Sequence, residues 1–206
     1  FINKSQTDRF VGNIYGLSDS VSSITTARIN EDGIYKEFLS TELGEHVSKN
    51  KRRNIWIGQD DFLDEKLGTA SNSYAIRLNR HFTDSDGLLV IDIAPNAVEN
   101  ILKDLELGDG SILGFATMDN TEITTDSNGT NEGFIFVDKD FYIEALDSEE
   151  LNGSEYVNYQ NEEYLFMYSK IGETGAMLCS LIPKATITSQ ADGIKLITVV
   201  IVIFAC

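Results

Sequence analysis

Gly87-Leu-Leu-Val-Ile-Asp-Ile93, followed by Pro95 and then by Val98, Ile101, Leu102 and Leu105, fixes the first part of the fold. The run after Gly87 is short, apolar and bounded by the turn residues 83–87, which reads as a buried strand. Pro95 suits the opening of a helix, where the first amides have no partners in any case. The apolar residues behind it recur at i, i+3, i+4 and i+7, which predicts a helix over residues 95–107 with Gly108 at its end. After Gly110 the pattern starts again. Ile112-Leu-Gly-Phe115 echoes Ile14-Tyr-Gly-Leu17 at an offset of 98, and Ile123-Thr-Thr125 echoes Ile24-Thr-Thr26 at 99. The echo implies two related units, each opening with a strand, a turn and a strand.

Outward from that junction, residues 1–11 are polar with sparse apolar positions and read as the end of a helix. Residues 13–17 and 21–26 read as two strands. Residues 34–47 read as one helix, with Ile34, Phe38, Leu39, Leu43 and Val47 on one side. A strand at residues 55–57, an acidic helix at 60–67 and a strand at 74–82 complete the first unit. The second unit continues with the apolar run Phe134-Ile-Phe-Val137, a helix near residues 140–146, and a closing meander over 156–159, 164–171 and 176–182. Pro183 ends the last strand.

The chain closes on Gly193-Ile-Lys-Leu-Ile-Thr-Val-Val-Ile-Val-Ile-Phe-Ala-Cys206. A membrane-spanning helix needs roughly 20 apolar residues. Only 11 residues follow from Leu196 onward, all apolar but Thr198, so residues 193–206 are expected to be a truncated transmembrane helix behind an extracytoplasmic body. The chain as a whole carries 33 acids against 16 bases, a net charge of −17. Such a surface repels phosphate backbones, so nucleic acid is a poor partner and none is expected. Cys179 lies in a strand-like run and Cys206 in the apolar tail, which implies no disulfide between them.

The order of elements resembles the double Cache sensor domains of bacterial chemoreceptors. The residues that carry the resemblance are Gly87 to Ile93 with its helix, then Gly108-Asp-Gly-Ser-Ile-Leu-Gly-Phe-Ala-Thr-Met-Asp119. The final hairpin, from Glu163 through Gly172-Glu-Thr-Gly175 to Pro183, adds to it. The resemblance covers nearly the whole chain. It implies an α+β fold of two PAS-like antiparallel-sheet units with flanking helices. Residues 1–12 would end an N-terminal helix, 13–107 form the membrane-distal unit and 108–186 the membrane-proximal unit. It further implies a small-molecule ligand in the distal unit, a homodimeric receptor in the cell membrane, and an output domain on the other side.

Asp92 is the most informative single residue, because a carboxylate inside so apolar a strand must be paired or hydrogen-bonded. In the similar family an aspartate at this strand position grips the amino group of amino-acid ligands; the competing reading is a cap for the helix behind Pro95. Trp56, the only tryptophan, offers an aromatic wall or a core side chain. The family's motif has an arginine two residues before the tryptophan and a tyrosine just after it. Asn54 and Ile57 stand there instead, with Arg53 one residue away. Tyr74 and Arg77 could add a hydroxyl and a guanidinium, on opposite faces if their strand is regular. The ligand-binding expectation is thus Trp56 and Asp92 with Arg53, Tyr74 or Arg77.

No enzyme signature competes. His46 and His81 are isolated and read as surface residues, no metal-ligand spacing is present, and no nucleophile elbow or phosphate loop occurs. Asp60, Asp61, Asp64 and Glu65 read as an acidic helix face. Neither a metal nor a cofactor is expected. The functions left open are a ligand sensor of a chemoreceptor, the sensor of a histidine kinase or diguanylate cyclase, and a passive adhesin or tethering ectodomain.

Overall fold

A computed structural model of the chain describes residues 9–19, 24–26, 33–50, 54–70, 72–82, 85–105, 107–126 and 133–189. The expected membrane helix at 193–206, and residues 1–8 of the expected N-terminal helix, lie outside them. Among the described residues, no helix is long and apolar enough to cross a membrane. Val11 and Gly12 already belong to a strand, because that segment pairs with Ile93 and its neighbours.

The architecture is α+β, with two antiparallel five-stranded sheets and flanking helices. The first half runs β1 (Val11–Leu17), β2 (Ile24–Thr25), α1 (Ile34–Phe38), α2 (Glu42–Lys49), β3 (Ile55–Ile57), α3 (Asp61–Leu67), β4 (Ile76–His81) and β5 (Leu88–Ile93). Helix α4 (Ala97–Lys103) leads on to β6 (Ile112–Ala116), β7 (Glu122–Thr124), α5 (Asp140–Asp147), β8 (Asn152–Tyr159), β9 (Glu162–Lys170) and β10 (Met177–Pro183). The sheets are ordered β2-β1-β5-β4-β3 and β7-β6-β10-β9-β8, so each is the same circuit with its fifth strand central, between the first and the fourth. Residues 184–189 are helical, and Thr186 Oγ1 donates to the carbonyl of Asp109 at 2.6 Å.

The internal repeat is real, and its offset is 99 in both opening strands. Ile14 N donates to Thr26 Oγ1 at 3.0 Å, and Leu113 N donates to Thr125 Oγ1 at 3.0 Å. Tyr15 pairs with Thr25 as Gly114 pairs with Thr124. The Ile14-Tyr-Gly-Leu17 echo at 98 is therefore one residue out of register. A one-residue slip exchanges the two faces of a strand, and the packing forbids it. Tyr15 points into the first core, whereas a Cβ on Gly114 would meet the Phe136 ring at 2.4 Å.

Two helices behave differently from their patterns. Residues 34–47 form two helices rather than one, because the Thr41 hydroxyl accepts from Gly44 N at 3.0 Å and caps a fresh start at Glu42. Helix α4 stops at Lys103, and its apolar stripe shrinks to Ala97, Val98 and Leu102, with Ile101 49% exposed. The apolar run at Phe134 is a turn. The Glu122 carboxylate holds it by accepting from the amides of Ile135, Phe136 and Val137 at 2.6, 3.0 and 3.1 Å.

Among the described residues, three apolar clusters hold the elements together. In the first, α1, α2 and α3 cover one face of the first sheet through Ile34, Phe38, Val47, Leu63 and Leu67. In the second, Phe136, Tyr142, Phe166, Cys179 and Leu181 fill the other unit. The third lies between the sheets, where the half-buried Trp56 and Phe115 pack against Ile76, Val98, Leu102 and Leu113. Each such large side chain contributes about 1.5–3 kcal/mol when fully buried.

Candidate functional site

Strand β4 carries Arg77, Asn79 and His81 at alternate positions, so all three share one face. Their cross-strand partners on β5 are Asp92, Val90 and Leu88, and on β3 Ile57 and Ile55 face Arg77 and Asn79. That face is the one covered by the three helices. All four polar residues are buried, with Arg77, Asn79 and Asp92 fully inaccessible. His81 is correspondingly no surface residue. Its Nε2 lies 2.6 Å from the Tyr35 hydroxyl, and its Nδ1 lies 2.7 Å from the carbonyl of Phe82.

Arg77 is the hub. Its Nε donates to Asp92 Oδ1 at 2.7 Å, and its guanidinium stacks over the Tyr74 ring at 4.3 Å. Nη1 sits 2.9 Å from Asp64 Oδ1, in ion-pair range without hydrogen-bond alignment. The Tyr74 hydroxyl donates to the same Asp64 carboxylate at 2.9 and 3.0 Å. Burial works against the charge on Arg77, but the hydrogen bond and charge of Asp92 outweigh it and raise the guanidinium further. Burial also pushes the Tyr15 phenol up to about 12, with the Thr69 hydroxyl 3.1 Å away and Asp92 close by. Burial likewise raises Asp60, the cap of α3, whose Oδ1 accepts from Leu63 N at 2.6 Å.

One guanidinium thus stands between the carboxylates of Asp92 and Asp64. The cluster is left unsatisfied. Arg77 Nη2, Asp92 Oδ2 and both amide atoms of Asn79 are buried without a hydrogen-bond partner among the described residues. Native interiors seldom tolerate this.

Of the sequence-predicted residues, the structure brings Tyr74, Arg77 and Asp92 together. Tyr74 precedes the regular strand, so alternation does not separate it from Arg77 as expected. Asp92 pairs with Arg77 rather than capping α4. Trp56 is not with them. It pairs with Leu78 on the opposite face and meets the Phe115 ring edge-on at 6.1 Å, between the two sheets. Arg53 lies outside the described residues. Sequence reasoning missed Asn79, Tyr15 and Asp64 as site members. The alternation of Arg77, Asn79 and His81 was legible, but a polar row on a strand ordinarily reads as its solvent face.

The second unit supplies an internal control. Register equates Val90 with Cys179 and Asn79 with Tyr168, and by the same shift of 89 equates Asp92 with Leu181 and Arg77 with Phe166. The same scaffold therefore closes with Phe166 and Leu181 where the first unit buries an ion pair. An open surface cleft of about 440 Å³ lies elsewhere, lined by Leu102, Leu107, Asp109 and Thr125, and carries none of these unpaired groups.

No family model matches the sequence, and no curated protein matches it. Solved structures do match in fold. The extracellular domain assigned to a histidine kinase, rpHK1S-Z16, superposes with a TM-score of 0.59 at 10% identity, over 91% of this chain and 77% of that one. An extracellular ligand-binding receptor from Desulfohalobium retbaense gives 0.50 at 12% identity, over 84% of this chain and 30% of that one. The ligand-binding domain of the Pseudomonas fluorescens chemoreceptor CtaA, in complex with L-isoleucine, gives 0.50 at 9% identity, over 84% and 69%. With its two sheets in the same circuit, the chain shares the fold of these extracellular domains.

Proposed function

We propose that this chain is the extracytoplasmic ligand-sensing part of a transmembrane receptor, either a chemoreceptor or a sensor kinase. Residues 13–107 form the membrane-distal, ligand-binding unit, and 108–186 the membrane-proximal unit that passes the signal on. The receptor is a homodimer held in the membrane through residues 193–206. The ligand is a small polar molecule of the amino-acid or amine class. It sits at Arg77 and Asp92, with Tyr74 beside them.

The observation that carries this reading is the substitution of Phe166 and Leu181 for Arg77 and Asp92 at equivalent positions. The fold does not need an ion pair there, and a buried pair is a poor way to gain stability. The surplus of carboxylates around one guanidinium favours a cationic amine, since opposite charge binds most strongly in a desolvated site. A ligand carboxylate would meet the unpaired Arg77 Nη2. Because the cluster is covered by α1–α3, entry requires those helices to part, and binding favours the geometry that closes over the ligand. Isothermal titration of the protein against amino acids, amines and organic acids tests the reading. An amine should bind, and Asp92→Asn should weaken it at least about tenfold. Unchanged affinity in that variant would remove Asp92 from the site.

A further inference from the structure

We infer that Asn79 reads a second, uncharged polar group on the ligand, and that the ligand is an amine carrying a carboxamide. This rests on the reading of the Arg77–Asp92 cluster as the ligand site and names what that site selects.

Asn79 is fully buried, and neither its Nδ2 nor its Oδ1 has a partner among the described residues. Its cross-strand neighbours, Val90 and Ile55, are apolar and offer none. Of the neighbouring positions on its own face, His81 is engaged with Tyr35, and Arg77 gives its Nε to Asp92 while its Nη2, like the Asn79 amide, has no hydrogen-bond partner among the described residues. Its counterpart in the second unit is Tyr168, so the scaffold does not demand an amide at this register position. An unpaired amide buried at the centre of a sheet weakens the unliganded protein. A site retains such a group when a ligand completes it.

The chemistry of the missing partner follows from the donor and acceptor together. A primary amide offers N–H and carbonyl oxygen side by side, and another primary amide satisfies both at once. A hydroxyl satisfies one at a time, and an aliphatic side chain neither. A second carboxylate on the ligand would face Asp92 and Asp64 at close range. Positions i and i+2 of a strand are about 7 Å apart, so the amide lies roughly that far from the Arg77–Asp92 head site. An α-amino acid with a side-chain carboxamide has that reach.

The test is calorimetric titration of the protein with L-glutamine, L-asparagine, L-glutamate, L-leucine and L-isoleucine, paired with thermal unfolding. An amide-bearing amino acid should bind at least about tenfold more tightly than leucine. Asn79→Leu should lower that affinity roughly 10- to 100-fold, leave leucine unchanged or tighter, and raise the unfolding midpoint of the unliganded protein. Leucine or isoleucine binding the wild type as tightly as the amides would overturn the inference and leave the sensor reading standing. So would an Asn79→Leu variant that loses every amino acid equally. If no amine binds the wild type at all, the sensor reading fails and this inference with it. Should Asn79→Leu not fold, the wild-type ligand series alone decides.

Discussion

The Asp119 carboxylate, in the β6–β7 turn of one sheet, accepts from the backbone amide of Gly58 at the end of β3 in the other, at 2.9 Å to each oxygen. Thr117 and Thr121 donate their hydroxyls to the same carboxylate and hold it in place. Two residues beyond Gly58 stands Asp60, the cap of α3, and that helix presents Asp64 to Arg77. A single turn of the second unit thus grips the segment that leads directly into the polar cluster of the first.

Asp119→Ala should destabilise the protein by about 1–3 kcal/mol, because it leaves the part-buried Gly58 amide unpaired. Asp119→Asn should cost less, since its amide oxygen still accepts one bond. Urea unfolding of both variants checks this; equal midpoints for Asp119→Ala and wild type would show that the two units do not depend on the contact.

Gly58 has little room to change. A Cβ there would fall 1.8 Å from Thr121 Oγ1 and 2.3 Å from Thr121 Cβ. Gly58→Ala should therefore cost about 1–3 kcal/mol by overpacking. Adding Thr121→Gly should recover part of that loss, and a double-mutant cycle measures the coupling. Strictly additive effects would contradict a direct clash.

Removing Asp92 alone, as Asp92→Leu, takes the hydrogen-bonded partner from the buried Arg77 Nε and should cost about 3–5 kcal/mol. The pair Arg77→Phe with Asp92→Leu copies the second unit and should return stability to within about 1 kcal/mol of wild type, or above it. Ligand binding should be lost in the pair despite its restored fold. A double variant as unstable as the single one would mean that the ion pair is structural.

Asp60 links stability to pH. Burial lifts its carboxyl above the ordinary value of 3.8. The native state therefore binds this proton more tightly than the unfolded chain does. Its contribution to folding is complete below about pH 3.8 and is lost as pH rises through the raised value. Asp60→Asn keeps the helix cap and removes the titration. Its stability relative to wild type should be greatest at neutral pH and shrink as pH falls toward 4, as followed by denaturant unfolding across that range. A difference independent of pH would show that Asp60 titrates as it does in the unfolded chain.

Glu122 organises a turn that has no secondary structure of its own. Glu122→Ala should cost about 2–3 kcal/mol, since three amides at buried residues lose a charged acceptor. Hydrogen exchange at Ile135, Phe136 and Val137 should quicken more than exchange in β9. Unaltered exchange there would show that the turn is held by packing alone.

Period and punctuation were enough to read much of the architecture. The Leu88–Ile93 strand, the restart after Gly110, the Asp60-led helix and the closing meander are all local patterns, and local patterns survive in one dimension. The same sequence contained the break at Thr41 but did not reveal it, because a threonine in an apolar-periodic run becomes a cap only when the chain turns there. The 98-residue echo misled by one position, since glycine identity was matched where face and partner decide.

The site divides along the same line. Asp92 announced itself as a carboxylate within an apolar strand. Which residues stand beside Asp92 was a tertiary decision. Pairing register sets Arg77 opposite it and sends Trp56 to the other face. Helices α1–α3 then cover the row of Arg77, Asn79 and His81 that a lone strand would show to water. Sequence specifies which groups a strand carries on each side; only the packing of other elements fixes which side is dry, and desolvation is what turns those groups into a site.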